Sequence, residues 1–381
     1  MAVYIIFFAL FFCSAMLEVG GLKKSQAKWL LGGLTVILIL FVGLRFHTGG
    51  DWNVYHQIFN ASLSSKNDNP FNTEYGYLLL NKLFKTVFDN YYVMQFTATL
   101  FVVISFYRLY KRNSEYPIVS FSLCVWIFFY GILMSQVRQS IALAIIVYAT
   151  PYIFDRKPIR FLIAIVAASF FHISAVVAIP LYFLYKNYGK IVPVILMLVA
   201  QVFFFFPEII EKIVSFLAPY LPGRLSVLAK IYLDTYFNRQ AEFSTGLFYL
   251  GQMILSVFTV IFVNPRDKKE SFFINTLVIY VILRGFTIGM EILGRLEPYF
   301  LVYALIAYTY LFDVRIKRLR SVYLITACFL LLFFAAPFVR QVHRTDIDPL
   351  TQRPMNYSLV PYYNVFWHPP EAKSRKDWNQ E

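Results

Sequence analysis

Long apolar runs recur along almost the whole chain, and this pattern sets the fold class before any single residue is weighed. They fall at residues 3–17, 29–42, 92–107, 117–133, 141–154, 161–185, 191–206, 245–263, 272–289, 299–312 and 323–338. A segment that meets lipid has no water to satisfy its backbone, and a helix satisfies it internally. The chain is therefore read as all-α: a polytopic integral membrane protein of about twelve transmembrane helices, with larger outer loops at residues 43–91 and 207–243. Of 381 residues, 59% are hydrophobic and 15% are charged, which leaves no stretch for a soluble domain. The whole of 1–381 is read as one membrane domain with a polar tail at 339–381.

The net charge of +14 has a topological reading, not a nucleic-acid one. Lys23, Lys24 and Lys28, then Arg108, Lys111 and Arg112, then Arg156, Lys157 and Arg160, each follow or precede an apolar run. Arg266, Lys268, Lys269, Arg315, Lys317, Arg318 and Arg320 continue the series. Short basic loops stay in the cytoplasm, so the alternate loops face outward. Residues 161–185 fit one span or a tight hairpin. Only the hairpin keeps Lys186, Lys190 and the 266–269 loop inside, so it is preferred, with His172 at its outer tip. Residues 74–88 carry Tyr77, Leu80, Phe84 and Phe88 on one face, which predicts an amphipathic helix in the outer interface. The first run lacks a basic start and a small-residue cleavage site and is read as retained. Cys13, Cys124 and Cys328 lie inside apolar runs, where cysteine is a packing residue.

This topology sends most ionisable residues that lie at membrane depth to one side. Arg45, His47, Asp51, His56, Arg138, Gln139, His172, Arg224, Arg239, Arg284, Glu291 and Arg295 all fall in outward loops or at outer helix ends. Charges at that depth are costly and are functional candidates by default. Several arginines on one face suit an anion at the bilayer surface, because the guanidinium matches phosphate oxygens with paired hydrogen bonds. A lipid-linked diphosphate is such an anion. The structural alternative is that these arginines snorkel or pair with Asp51, Glu291 and Glu297. His172 or Asp51 is the candidate general base for a sugar hydroxyl, and a hydrogen-bonded helix-end histidine is the plainer reading of His172. Trp52 and Tyr55 are candidates for stacking on a sugar ring, and Gly49-Gly50 for a tight turn or close approach to a ligand. No H-E-x-x-H, D-x-D, P-loop or dinucleotide fingerprint occurs, so no metal or cofactor is expected. A donor carried by a lipid fits better than a nucleotide-sugar.

Four short motifs in order resemble the EpsG family, relatives of the Wzy-type O-antigen and exopolysaccharide polymerases. They are Gly43-Leu44-Arg45 with Gly49-Gly50-Asp51 and Tyr55; Val137-Arg138-Gln139-Ser140-Ile141-Ala142; Phe171-His172-Ile173-Ser174-Ala175 before Ile179-Pro180-Leu181-Tyr182; and Arg295 with Tyr299-Phe300. The resemblance implies a glycosyltransferase of the bacterial plasma membrane with its site facing outward. It would move a growing glycan from undecaprenyl diphosphate onto a lipid-linked repeat unit. Arg45, Tyr55, Arg138, Gln139, Arg284, Arg295 and Tyr299 are then expected to bind substrate and diphosphate, with His172 or Asp51 as base. The implied partners are undecaprenyl-diphosphate-linked oligosaccharide, membrane lipid and a chain-length regulator protein. Two rivals share the many-span pattern: a membrane O-acyltransferase that decorates glycans, and a transporter or flippase for the same lipid.

Overall fold

The computed structural model describes residues 2–63, 73–220, 226, 233, 243–287, 291–313, 320–343, 359 and 362–366. The expectations for Arg224 and Arg239, and for the Glu291 side chain, fall outside what is described. The described residues are helical, with one isolated antiparallel bridge between Arg45 and Asn364. Among the described residues, five helices are long and apolar enough to cross a membrane, and seven shorter helices are apolar as well. The chain is a multi-pass membrane protein. It forms two compact units: Met1–Val176 with Ile316–Glu381, and Val177–Arg315.

In the first unit, α1 (Ala2–Val19) and α2 (Lys24–Gly43) are followed by two short helices, α3 (Trp52–Ala61) and α4 (Tyr75–Phe88). Next come α5 (Tyr91–Asn113), α6 (Pro117–Phe128), α7 (Val137–Tyr148), α8 (Thr150–Phe154) and α9 (Pro158–Ser169). The last helix of this unit, numbered α16 here, is Arg320–His343. Helix α6 is the central post: nearly every residue from Ile118 to Phe128 is buried, and α1, α5 and α16 pack on it. It opens on Pro117 at its first position, where a missing N–H costs nothing. The Asn90 side chain caps α5 by accepting from Tyr92 N–H at 2.8 Å and Val93 N–H at 3.4 Å.

Polar ends sort to opposite sides of this unit. At one side, Glu18 of α1 accepts the Val119 N–H of α6, and Arg108 of α5 lies 4.5 Å from the Tyr148 ring of α7. At the other side meet the ends of α2 and α9 and the starts of α5 and α7, all of which the charge pattern sends outward. The expected break in 161–185 is present, since α9 stops at Ser169 and a 3₁₀ run begins at Ile173.

The structure adds three details. The predicted 43–91 loop contains α3 besides α4; its apolar residues Trp52, Tyr55, Ile58 and Phe59 share one buried face. Helix α4 is amphipathic, but Phe88 is exposed and Leu80 half-buried, while Tyr77, Asn81 and Phe84 face inward. A second apolar stripe, Tyr75, Leu79, Leu83 and Val87, stays exposed. Helix α16 runs to His343.

The second unit contains α10 (Ile191–Phe205), α11 (Pro207–Leu217), α12 (Phe243–Phe262), α13 (Lys268–Thr287), α14 (Glu291–Gly294) and α15 (Pro298–Thr309). Gly285 of α13 lies against α10 so closely that a Cβ would stand 2.7 Å from the Ala200 carbonyl oxygen. Side-chain pairs join the helices inside the unit: Tyr280 to Gln252 at 3.0 Å, and Ser256 with Tyr308 at 2.8 Å.

Between α6 and α7 the helix widens into a π-helical turn, Phe129–Ser135, a local insertion often found at functional sites. The turn brings the Met134 carbonyl against Gly49 and the Ser135 hydroxyl to the Gly50 N–H at 3.0 Å. Gly49 has φ of +117°, and a Cβ there would stand 2.1 Å from the Met134 oxygen. Gly49→Ala is expected to destabilise the protein by on the order of 3 kcal/mol, through overlap and a left-handed backbone. Gly33→Ala, on an open face of α2, is expected to be neutral or stabilising by up to about 1 kcal/mol. Thermal unfolding of both variants in detergent separates a pinned turn from general intolerance.

Candidate functional site

The site begins with the loop after α2. Gln95 of α5 holds it, donating from Nε2 to the Gly43 and Arg45 carbonyls at 2.9 Å each. The Oε1 of the same side chain accepts from the Trp52 indole at 3.1 Å. The far end of the chain pairs with this loop: Phe46 N–H donates to the Tyr363 carbonyl at 2.9 Å, and Val365 N–H to the Leu44 carbonyl at 2.8 Å. The Tyr362 hydroxyl donates to the Phe41 carbonyl at 2.6 Å, with its ring stacked on Phe41.

Held this way, Arg45 points inward and is 1% exposed. Its Nε donates to the Thr48 carbonyl at 3.1 Å and its Nη1 to the Val42 carbonyl at 2.7 Å. Among the described residues no carboxylate pairs with it. Its charge lies near the phenols of Tyr91, Tyr362, Tyr77 and Tyr55. It lines a narrow cleft together with Gln95, Thr99, Ser140 and apolar side chains of α2, α5, α7 and the π-helical turn. A buried guanidinium bonded only to carbonyls keeps a strong attraction for an anion.

The second part of the site joins three distant stretches of sequence. Glu74, at the N-cap position of α4, receives Arg138 of α7 on Oε2 at 2.5 Å and faces His172 Nδ1 with Oε1 at 2.9 Å. The side chains of Arg138, Glu74 and His172 are 23%, 20% and 11% exposed, so the group is partly shielded yet reachable. The start of α4 is docked beside His172 through Gly76 N–H, which donates to the Phe170 carbonyl at 2.9 Å. A Cβ on Gly76 would stand 2.7 Å from that oxygen.

Tyr55 lies beneath Arg138, its ring centroid 5.9 Å from the guanidinium carbon. Burial pushes its phenol up, and Arg138 only partly offsets this, so it stays protonated. For Glu74, burial acts to raise the carboxyl, but the His172 hydrogen bond and the Arg138 charge outweigh it and hold it at about 2.

The expected residues therefore separate. Arg138, His172 and Tyr55 come together, with Gln139 buried in the same first turn of α7. Asp51 is exposed at the N-cap of α3, one turn before Tyr55. Neither aromatic is open to a sugar face. Trp52 is 2% exposed, with the His47 ring at 3.9 Å and the His56 ring at 4.9 Å, and Tyr55 is 3% exposed. Arg284, Arg295 and Tyr299 belong to the second unit. There Arg284 Nη1 donates to both Glu297 oxygens at 3.1 and 3.0 Å, and Thr287 donates to the same carboxylate. Arg295 is exposed and Tyr299 fully buried at the start of α15.

Glu74 is the residue that the sequence reading did not single out. Its signal was present: a lone carboxylate at the start of an amphipathic helix. Among the described residues no cluster of three His, Cys, Asp or Glu side chains is placed to hold a metal ion.

The Glu74 pairing predicts a pH dependence of stability. The folded carboxyl titrates near 2 and the unfolded one near 4.5, so its stabilisation is complete above about 4.5 and is lost as pH falls through about 2. With solvent screening it contributes on the order of 2 kcal/mol at neutral pH. Wild type should outlast Glu74→Gln in thermal unfolding at about pH 7, and the gap should shrink toward about pH 3. A gap that stays constant over that range would contradict the pairing.

The sequence pattern of the EpsG family matches residues 28–364, a span that contains every residue of the site and ends at the partner of Arg45. Comparison with curated proteins finds no match, and neither does comparison with solved structures. This multi-pass membrane protein belongs to the EpsG family, a family linked to exopolysaccharide biosynthesis.

Proposed function

We propose that the protein is a polysaccharide polymerase. It transfers a glycan from undecaprenyl diphosphate to the hydroxyl of a lipid-linked repeat unit at the outer face of the plasma membrane. The observation that carries this reading is the meeting of Arg138 and His172 on one carboxylate, from motifs far apart in the chain. Such a transfer needs a base for the attacking hydroxyl and a cation for the departing diphosphate, within reach of one substrate.

His172 takes the role of base. Arg138 takes the diphosphate, and Arg45 adds positive charge close by. Asp51, exposed at the N-cap of α3, is the weaker candidate for base. Arg284 is already neutralised by Glu297, which favours a bracing role over substrate binding. The exposed Arg295 remains a candidate contact for phosphate or sugar.

The test is the glycan profile of a deletion strain complemented with wild type, Arg138→Ala or His172→Ala. Wild type should restore a polymer ladder, while the two variants should leave single lipid-linked units, as expected for a loss of roughly 10²-fold or more. Full-length polymer lacking an acyl group would indicate an acyltransferase, and units retained on the cytoplasmic side a transporter.

A further inference from the structure

Of the three clustered side chains, only Glu74 touches both others. A carboxylate this well paired is a poor base, yet it occupies the one place from which His172 and Arg138 are both oriented. An ionised carboxylate only accepts hydrogen bonds. A neutral His172 facing Oε1 through Nδ1 must therefore carry its proton on Nδ1. Its lone pair then lies on Nε2, which makes no hydrogen bond among the described residues. Arg138 is held by the other oxygen through Nη1, and its side chain is 23% exposed, so the guanidinium is reachable for an anion.

We propose that Glu74 is the positioning residue of this site: it fixes His172 with Nε2 as the proton acceptor and holds Arg138 toward the leaving diphosphate. This rests on the polymerase reading. In the step it supports, the acceptor hydroxyl gives its proton to Nε2 while its oxygen bonds to the anomeric carbon. The bond from that carbon to the diphosphate breaks, and its electron pair leaves on the diphosphate beside Arg138. Glu74 touches none of the reacting atoms. It acts as the orienting carboxylate of a carboxylate–histidine pair, and it sits on α4, whose start is locked to the end of α9 by Gly76 and Phe170.

The experiment uses full-length protein in lipid nanodiscs. One arm records nitrogen-15 NMR of the histidine rings in wild type and Glu74→Ala, with His172→Ala to assign the signal. Wild-type His172 should be a neutral ring protonated on Nδ1, and Glu74→Ala should move the proton to Nε2. The second arm measures turnover on a purified lipid-linked repeat unit. Glu74→Ala should lower kcat by roughly 10²-fold with KM changed less than about threefold, and Glu74→Asp should recover part of kcat. A wild-type His172 that is protonated on Nε2 or doubly protonated at neutral pH overturns the Glu74 assignment, as does an unchanged kcat in folded Glu74→Ala. Wild-type protein that joins no units, with His172 still protonated on Nδ1, overturns the polymerase reading and leaves the geometry of the pair intact.

Discussion

The Glu74 carboxylate is the constraint on which the functional end of the first unit depends. Without it, Arg138 and His172 would be a partly buried cation and an unoriented imidazole at a membrane boundary, each at a cost in free energy. With it, the two motifs that contain them share one hydrogen-bonded centre, and α4 is docked beside the end of α9. The bridge is electrostatically strong because it is only one-fifth exposed, and it stays polar because it is not sealed. A fully buried pair would stabilise the fold and be useless to a substrate, whereas a fully exposed one would contribute little to either.

Arg45 and Arg138 solve the same problem in different ways. Arg138 has a carboxylate and is reachable. Arg45 has backbone carbonyls and is closed in, and its anion-binding capacity is met by dipoles only. That difference fits a division of labour in which Arg45 sets the local potential and Arg138 makes contact. Arg45 keeps its conformation because the loop is tied three times: by Gln95, by Gly49 and Gly50 against the π-helical turn, and by residues 362–366. The Gly-Gly pair, which reads equally well as a ligand approach, is used for chain packing. Its missing Cβ atoms face the Met134 carbonyl and the Tyr130 and Ser135 side chains.

Hydropathy and loop charge made the membrane class legible, because both follow from solvent transfer and act over long windows. The same two signals placed the ends of α2 and α9 and the starts of α5 and α7 on one side, and the contacts in the first unit agree. Arg138 and His172 were legible as well, since an ionisable residue in an apolar setting marks itself. Pairing was not legible. Glu74 and Arg138 are separated by 64 positions and His172 by 98 from Glu74, and nothing local in a sequence measures such contacts. The burial of Trp52 and Tyr55 was missed for a related reason. An aromatic near a membrane boundary reads the same whether it faces a sugar, a headgroup or the two imidazoles that flank Trp52.

The pairing of residues 362–366 with residues 44–46 bears on what counts as the working protein. A polar tail after the last membrane helix reads as dispensable, since termini are usually loosely held. Here Tyr362 stacks on Phe41 and donates to its carbonyl, Asn364 forms a bridge with Arg45, and the Tyr4 hydroxyl of α1 donates to the Leu359 carbonyl at 2.5 Å. These bonds satisfy backbone groups that leave α2 at membrane depth, where an unpaired carbonyl or N–H is expensive. The family match ends at Asn364, within that pairing. Residues 44–46 and 362–366 are thus parts of one boundary structure, and the conformation of Arg45 depends on both.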